Sequence, residues 1–309
     1  MPIKVPALVS LVVLGMGCVS CASKSEPAQA TPEPPFEFAG AWGTPGDEPG
    51  QLKSPVGIAA DSRGLVYIAD TGSQFIHKFD VKGQALLSFQ DSGLRAPTAI
   101  AVDSGGGIYV ADRDRSVIFI FAPDGKRIGS LRGGPGRGFK HPTSVAVDAE
   151  GSIFVAELDA SRVQKLSPRG RFLFAWGRGE SAPEFVGALS AIALGEDGML
   201  YVADEDSRRI LKLAGDSDSE QVIETVPGPS DSAGNLVALA VGRGHVFGLD
   251  PRYRCLRAWT LEGRRGPVLG LAPFLTDLDE RLMGIALVPS GELLVLTSGP
   301  RVLRFRLNF

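Results

Sequence analysis

The sequence predicts an all-β fold, a six-bladed β-propeller built from four-stranded blades. Glycine (39 residues) and proline (22 residues) are abundant in the 309-residue chain, which is typical of many short strands joined by tight turns. One pattern also recurs six times at spacings of 42 to 47 residues. A period of this length accommodates the four strands of one propeller blade.

Each repeat contains the same succession of predicted strands, a to d. In the second repeat they read TAIAV, IYVAD, VIFIF and RIGSLRG. Strands a and b are apolar on both faces, as expected when neighbouring blades cover both sides of each sheet. The repeats begin at Ser54, Ala96, His141, Gly187, Gly234 and Arg281. The residues that close strand b are Asp70, Asp112, Glu157, Asp204, Asp250 and Thr297.

The N-terminal strand is predicted to close the ring. The sixth repeat stops after strand c, RVLRFRLNF, and so lacks an outer strand. The segment FEFAGAWG at 36–43 is similar to RFLFAWG at 171–177, which is strand d of the third repeat. We therefore expect 36–309 to form one closed propeller in which 36–43 completes the sixth blade and removes an exposed sheet edge.

Residues 1–21 have the order of a secretory signal: Lys4, then a short apolar stretch, then small residues and two cysteines. The apolar stretch is too short for a comfortable membrane span. A cysteine at the cleavage region resembles a bacterial lipoprotein signal. Cys18 is the favoured lipidation site and Cys21 the alternative. An uncleaved N-terminal anchor and ordinary signal cleavage without a lipid also stay open.

Residues 22–35, ASKSEPAQATPEPP, contain no aromatic residue and are predicted to form a disordered tether. The lipoprotein resemblance implies export to a bacterial cell envelope and attachment to a membrane through an N-terminal lipid. Neither Val19 nor Ala22, the residues at the second position of the two possible mature chains, is the aspartate that retains some lipoproteins in the inner membrane. The outer membrane is therefore the expected location.

The composition suits a large apolar core and gives no sign of a nucleic-acid partner. Hydrophobic residues make up 44% of the chain, charged residues 22%, and the formal net charge is -3. Of three cysteines, only Cys255 lies in the predicted propeller, which excludes a disulfide framework there. We expect Cys255 to be a buried apolar residue.

The first repeat carries a specific family resemblance. The string AWGTPGDEPGQLKSPVGIAADSRGLVYIADTGSQFIHKFD resembles an NHL repeat, with W-G, P-G-Q-L, P-x-G-I-A and Y-I-A-D in order. The resemblance extends over about 36–309 and is weaker in the last three repeats. It implies the propeller fold, whereas function does not follow from a fold that hosts many roles.

Candidate metal or catalytic groups are few. NHL-like propellers include lyases that use histidines with a metal. The predicted register puts His77 in strand c towards the outside of the ring, His141 before Pro142 at the channel mouth, and His245 in an a–b hairpin on the other face. They are not expected to meet, so we expect no metal and no cofactor, and His141 remains as a single candidate. The innermost strands contain no acid or amide that would hold calcium in the channel.

Two sets of charged residues recur in the repeats. The acids that close strand b are either a cation site or structural acceptors of turn hydrogen bonds, and their repetition favours the structural interpretation. Arginines could together receive an anionic partner, or they could pair with acids of the same loops. The b–c loops contain Arg113, Arg115, Arg162, Arg208, Arg209, Arg252, Arg254 and Arg301. The linkers between blades add Arg132, Arg137, Lys140 and Arg178.

The functional hypothesis is a non-enzymatic binding or scaffolding propeller that contacts an envelope protein or polymer through its loop face. Propeller faces generally serve as contact surfaces, and no nucleophile elbow, phosphate loop or H-E-x-x-H motif is present. The alternative is a metal-dependent lyase or hydrolase of the NHL-like group. A purely structural envelope component is a third possibility. The oligomeric state stays open.

Overall fold

A computed structural model of the chain describes residues 35–134, 136–177, 187–204, 209–214, 220–223 and 236–309. For Arg137 and 220–223 only the backbone is described. The predicted signal at 1–21 and all but the last residue of the predicted tether lie outside these ranges. Within them, no helix is long and apolar enough to cross a membrane.

Six antiparallel sheets of four strands form the blades, here numbered 1 to 6 with strands a to d from the centre outwards. Blade 1 contains Pro55–Ala60, Val66–Asp70, Phe75–Phe79 and Ala85–Gln90. Blade 2 contains Pro97–Val102, Ile108–Asp112, Val117–Phe121 and Arg127–Leu131. Blade 3 contains Pro142–Val147, Ile153–Glu157, Arg162–Leu166 and Phe172–Gly177.

The remaining three blades follow the same plan. Blade 4 contains Leu189–Leu194, Met199–Asp204, Arg209–Ala214 and Glu220–Ile223. Blade 5 contains Ala238–Gly242, His245–Asp250, Cys255–Thr260 and Arg265–Gly270. Blade 6 contains Leu282–Leu287, Glu292–Thr297, Arg301–Leu307 and Phe36–Trp42. The other elements are a small ladder, Gly133–Gly134 with Arg137–Gly138, and the 3-10 helix Ala272–Phe274.

The ring closes as the sequence predicts. The innermost strands of successive blades contact one another, and that of blade 6 contacts that of blade 1. Phe36–Trp42 pairs antiparallel with Arg301–Leu307 and supplies the outer strand of blade 6. The indole Nε1 of Trp42 then donates a hydrogen bond of 3.1 Å to the carbonyl of Val81 in blade 1. The N-terminal strand therefore joins the last blade to the first.

The core lies between neighbouring blades. One apolar cluster joins Ile68 and Phe79 of blade 1 to Leu294 and Val302 of blade 6, and comparable clusters fill the other junctions. This arrangement explains why strand b is apolar on both faces, since each face contacts a different blade. Cys255 is 5% exposed and free, as expected.

Hydroxyl groups also join successive blades near the channel. Each of four hydroxyls donates to the main-chain carbonyl at or just before the start of the next innermost strand, and this carbonyl is thereby satisfied inside the ring. The pairs are Thr71 with Pro97 at 2.7 Å, Thr98 with Pro142 at 3.1 Å, Thr143 with Leu189 at 2.8 Å, and Ser190 with Leu236 at 2.5 Å.

Candidate anion-binding site on the loop face

The b–c loops and the linkers between blades share one surface, here called the loop face. In blade 1 the first residue of strand a, Pro55, pairs with the last residue of strand b, Asp70. The linker that precedes Pro55 therefore lies beside the loop that follows Asp70. The same pairing holds in blade 2 between Pro97 and Asp112. The loops and linkers of these two blades thus lie on one surface, and the same pairing holds in blades 3 and 6.

The acids at the end of strand b bind main-chain amides. Asp70 is buried, and its carboxylate accepts hydrogen bonds from the amides of Lys53 at 2.6 Å, Ser54 at 2.9 Å and Gly72 at 2.9 Å. Asp112 accepts in the same way from the amide of Ala96 at 3.1 Å. These carboxylates join a linker to a turn, as the structural interpretation requires. Among the side chains that the structure describes, no group of three His, Cys, Asp or Glu could hold a metal ion.

Two of the predicted arginines are held in the structure of the loop face. Arg162 is only 12% exposed at its side chain, and its Nε lies 2.7 Å from Glu157 Oε1. Arg254 donates to the main-chain carbonyls of Asp277 at 2.9 Å, Leu278 at 3.0 Å and Glu280 at 3.1 Å. In this structure both guanidinium groups therefore contact the protein itself.

Arg301 is also engaged: its Nη2 lies 3.1 Å from Glu280 Oε2, and its side chain is 23% exposed. Arg208 and Arg178 lie outside the described residues. Arg209 and Arg252 are exposed, and the Arg252 guanidinium lies 5.9 Å from the Tyr253 ring centroid. Arg113 is 51% exposed and lies 3.6 Å from Asp114, an exposed pair that contributes little to stability.

A basic pocket lies on blade 2, where the loop face meets the outer strand. Its volume is about 480 Å³. Arg115 comes from the b–c loop, Arg132 from the end of strand d, and Gly93 from the linker that precedes the blade. This blade 2 pocket is lined by Gly93, Arg115, Phe119, Arg127, Ile128, Gly129, Ser130 and Arg132.

Only one of the three guanidinium groups in the blade 2 pocket has an acidic partner. Arg127 Nη1 lies 2.7 Å from Asp91 Oδ1, and its guanidinium lies 5.6 Å from the Phe119 ring centroid. Arg115 and Arg132 are exposed, and neither has an ion-pair partner in the described part of the chain. The pocket therefore offers two uncompensated guanidinium groups beside an aromatic ring and the 64% exposed side chain of Ile128. Sequence reasoning did not select Arg127 because it lies at the far end of strand d.

His141 lies on the loop face and forms a pair with an acid. Its side chain is 49% exposed, and Nδ1 lies 2.6 Å from Asp159 Oδ2. The backbone of His141 has φ +50°, an uncommon conformation for a residue other than glycine. The pair has the base-and-orienting-acid arrangement of many catalytic sites, but a third polar group of metal-ligating type is not found with it in the described chain.

The other two histidines lie elsewhere, so the three do not meet, as predicted. His77 is in strand c of blade 1, as predicted, and its side chain is fully buried. Its Nδ1 lies 2.8 Å from Ser88 Oγ, and burial lowers the pKa of His77 to about 4. His245 Nδ1 lies 2.9 Å from the carbonyl oxygen of Arg243 in an a–b hairpin.

The central channel encloses a cavity of about 110 Å³. The innermost strands line it with small apolar residues and with hydroxyls such as those of Thr98, Thr143 and Ser190. No acid or amide side chain is among the lining residues, in agreement with the sequence. The lining therefore offers no carboxylate or amide side chain as a calcium ligand.

Comparisons with known proteins agree with this architecture. The NHL repeat family model matches residues 52–79 and 94–121. No curated protein sequence matches the chain significantly. A streptogramin B lyase structure has a TM-score of 0.64 at 13% identity and covers 88% of this chain and 98% of its own. Virginiamycin B lyase from Staphylococcus aureus has a TM-score of 0.61 at 14% identity, covering 89% of each chain.

A chain of a nidogen/laminin complex is also similar, with a TM-score of 0.62 at 18% identity and coverage of 75% of this chain and 84% of its own. At such identities the likeness concerns the fold alone, because propellers serve unrelated functions. Two lyases and a component of a protein complex share this architecture. The chain is a six-bladed β-propeller that contains NHL repeats.

Proposed function

We propose that the protein is a binding propeller whose loop face holds an anionic group of its partner in the blade 2 pocket. The observation that supports this proposal is the position of Arg115 and Arg132 at one pocket, both exposed and both without an acidic partner in the described residues. Other arginines of the loop face, such as Arg162 and Arg254, are engaged by the protein itself.

The chemistry of the pocket suits a carboxylate or a phosphate. A guanidinium group offers planar, paired N–H donors that match both anions. Hydrogen bonds to charged groups contribute about 1.5–3 kcal/mol each, so two arginines give a useful affinity. The 64% exposed side chain of Ile128 adds apolar contact area beside the charges, which favours an anion carried by a larger molecule over a free ion.

The sequence indicates where such a partner would be met. If the lipoprotein-type signal directs the chain to the cell envelope, the partner is an envelope protein or polymer that carries acidic groups. The propeller then acts as a rigid scaffold on a membrane tether. Its closed ring needs no rearrangement to present the loop face, which reduces the entropy cost of binding.

Binding to poly-L-glutamate tests the carboxylate preference directly. The variant Arg115→Ala/Arg132→Ala should bind the polymer at least about tenfold more weakly than the wild type. Each lost hydrogen bond to a charged group contributes about 1.5–3 kcal/mol, and about 1.4 kcal/mol corresponds to a tenfold change in affinity. The matched control is Arg169→Ala/Arg171→Ala, which removes two exposed arginines from a c–d turn on the opposite face. Equal losses of affinity in the two variants would mean that polymer binding depends only on the net charge of the protein, and the proposal would fail.

A second candidate is the lyase or hydrolase, which the His141–Asp159 pair favours. The 2.6 Å contact through Nδ1 leaves Nε2 available to accept a proton, and two solved lyases share the fold. A streptogramin B antibiotic is the substrate to assay, with and without added divalent metal. Turnover that disappears in His141→Ala would support this function, and no turnover by the wild type with any metal would reject it for this substrate.

A further inference from the structure

The linker between blades 5 and 6 presents an exposed leucine between two exposed carboxylates. Leu278 is 88% exposed, the highest value among the large apolar residues that the structure describes as exposed. Asp277 and Asp279 on either side of it are also exposed. Together the three residues are here called the acidic tip. A single exposed leucine is ordinary in a soluble protein. The hydrogen bonds that order the acidic tip are therefore what supports a binding role.

The acidic tip is held from below by Arg254. Its guanidinium donates to the main-chain carbonyls of Asp277, Leu278 and Glu280. One cation therefore satisfies three carbonyls of an exposed turn, which fixes the direction in which Leu278 points. An apolar side chain held in this way binds without the cost of ordering its loop first.

The ends of the linker are fixed as well. Glu280 accepts hydrogen bonds from the Thr276 amide at 2.6 Å and from the Thr276 hydroxyl at 2.9 Å. Arg301 Nη2 donates to the Phe274 carbonyl at 2.9 Å, and the Phe274 ring lies 4.8 Å from the Phe38 ring. The tip is thus a preorganised projection on the loop face, and not a slack connection.

The blade 2 pocket has the opposite chemistry on the same face. Arg115 and Arg132 complement the two carboxylates of the tip, and the exposed Ile128, where the pocket extends along strand d away from the loop face, offers an apolar side chain to Leu278. Charge complementarity with an apolar centre is the arrangement of specific protein interfaces. The chain therefore carries both a ligand and its receptor on one surface.

From this complementarity we infer that a second copy of this chain is a partner of the blade 2 pocket, and that the acidic tip of each copy docks in the pocket of the other. This inference rests on the proposed function, because it identifies the anionic group bound in the blade 2 pocket as the carboxylates of a second copy's acidic tip. Because the acidic tip and the two exposed arginines of the pocket lie on the loop face, two copies that meet face to face exchange these contacts reciprocally about a twofold axis, and the assembly closes as a dimer.

The test is a charge exchange in the full-length chain, kept in detergent and weighed by native mass spectrometry with one variant labelled with ¹⁵N. The wild type is expected to be a dimer. Asp277→Lys/Asp279→Lys and Arg115→Glu/Arg132→Glu should each be monomeric at the same concentration, since each homodimer would oppose like charges. Mixing the two variants should restore a dimer of mixed label, because both reciprocal contacts regain opposite charges.

Two further variants keep the test decisive. Leu278→Ser should shift the dimer towards monomer without changing charge, and Glu150→Lys, an exposed residue of an a–b hairpin on the opposite face, should leave it unchanged. Circular dichroism confirms that each variant is folded. A monomeric wild type, a dimer that survives both charge reversals, or folded variants that do not form the mixed dimer would each overturn the inference.

The two proposals fail separately. Poly-L-glutamate binding that depends on Arg115 and Arg132 in a monomeric protein would leave the anion site standing and remove only the second copy as its partner. Loss of both polymer binding and dimer formation would remove the site itself. Higher salt should weaken a genuine dimer, because the contacts between exposed charges are screened.

Discussion

The hydroxyl of Thr297 donates a hydrogen bond of 2.5 Å to Oε1 of Glu280, which lies 17 residues earlier in the chain. Blade 6 therefore takes its buried carboxylate from the preceding linker, whereas blades 1 and 2 take theirs from Asp70 and Asp112 at the end of strand b. Burial alone would raise the pKa of Glu280, but hydrogen bonds from Thr297, Thr276 and Arg301 outweigh it and hold that pKa below its usual value.

Glu280→Gln should destabilise the propeller by about 2–3 kcal/mol, because it leaves the partly buried Arg301 without its carboxylate partner. Urea unfolding at pH 7 measures the change, with the exposed neighbour Asp279→Asn as control. Since the folded-state pKa of Glu280 is lowered, its ionic contribution is present above its unfolded pKa and is lost as the pH falls through the folded value. Equal unfolding midpoints for the two variants would contradict this role.

Stability of the wild type should rise between pH 4 and pH 6.5 because of His77. Its folded pKa is about 4 as a result of burial, against 6.5 for the ordinary group. In this window the unfolded chain binds the proton and the folded chain does not, so stability grows with pH, by up to about 3 kcal/mol.

The matched variant for His77 is Gln, because Gln164 occupies the same position in blade 3 and donates to Glu157 at 2.7 Å. His77→Gln should flatten the difference in unfolding free energy across this window, measured by denaturant titration at each pH. Parallel curves for wild type and variant would show that His77 does not supply the slope.

Gly83→Ala should reduce the free energy of unfolding by more than the same substitution at Gly64, a glycine of similar backbone geometry. Gly83 has φ +89°, and a Cβ there would lie 2.5 Å from Cδ2 of Trp42. Gly64 has φ +81° with nothing within 4 Å, so Gly64→Ala isolates the backbone strain, about 1 kcal/mol. We expect about 1–3 kcal/mol more for Gly83→Ala from the clash.

A double-mutant cycle tests whether the additional destabilisation by Gly83→Ala comes from the contact with Trp42 of the N-terminal strand. In a Trp42→Ala background the extra cost of Gly83→Ala should disappear, because the indole that meets the new methyl group is gone. Thermal unfolding of the four proteins gives the coupling energy. A coupling energy of zero would mean that the N-terminal strand does not press on this turn.

The propeller fold was predictable because the same strand pattern recurs in six successive repeats. Strands a and b carry an apolar pattern that each blade restates, and the missing outer strand of blade 6 has a recognisable counterpart at 36–43. The closure of the ring by the N-terminal strand was predicted from this missing strand. His77 was placed in the correct strand, but its complete burial was not predicted, since the sequence pattern does not say how fully the neighbouring strands and blades cover a polar side chain.

The site was less predictable because it depends on contacts between different repeats. Arg115 and Arg162 were both predicted in b–c loops, yet Arg162 begins strand c and contacts a glutamate, whereas Arg115 lines a pocket. Arg127 reaches the pocket from strand d, through a contact with Asp91 of the previous linker. Loop position alone did not distinguish these guanidinium groups, because their partners come from elements far apart in sequence.

Arg254 offers a way to separate the shape of the acidic tip from its composition. Arg254→Ala removes three hydrogen bonds to the carbonyls of 277–280 while leaving Asp277, Leu278 and Asp279 unchanged. Hydrogen exchange of the segment 271–282 should then become at least about tenfold faster, since each lost bond to a charged donor contributes about 1.5–3 kcal/mol. Arg252→Ala, in the same b–c loop, is the control and should leave this exchange unchanged. If the exchange rate of the segment is the same in both variants, the tip is ordered by something other than Arg254, and preorganisation cannot explain why it would dock.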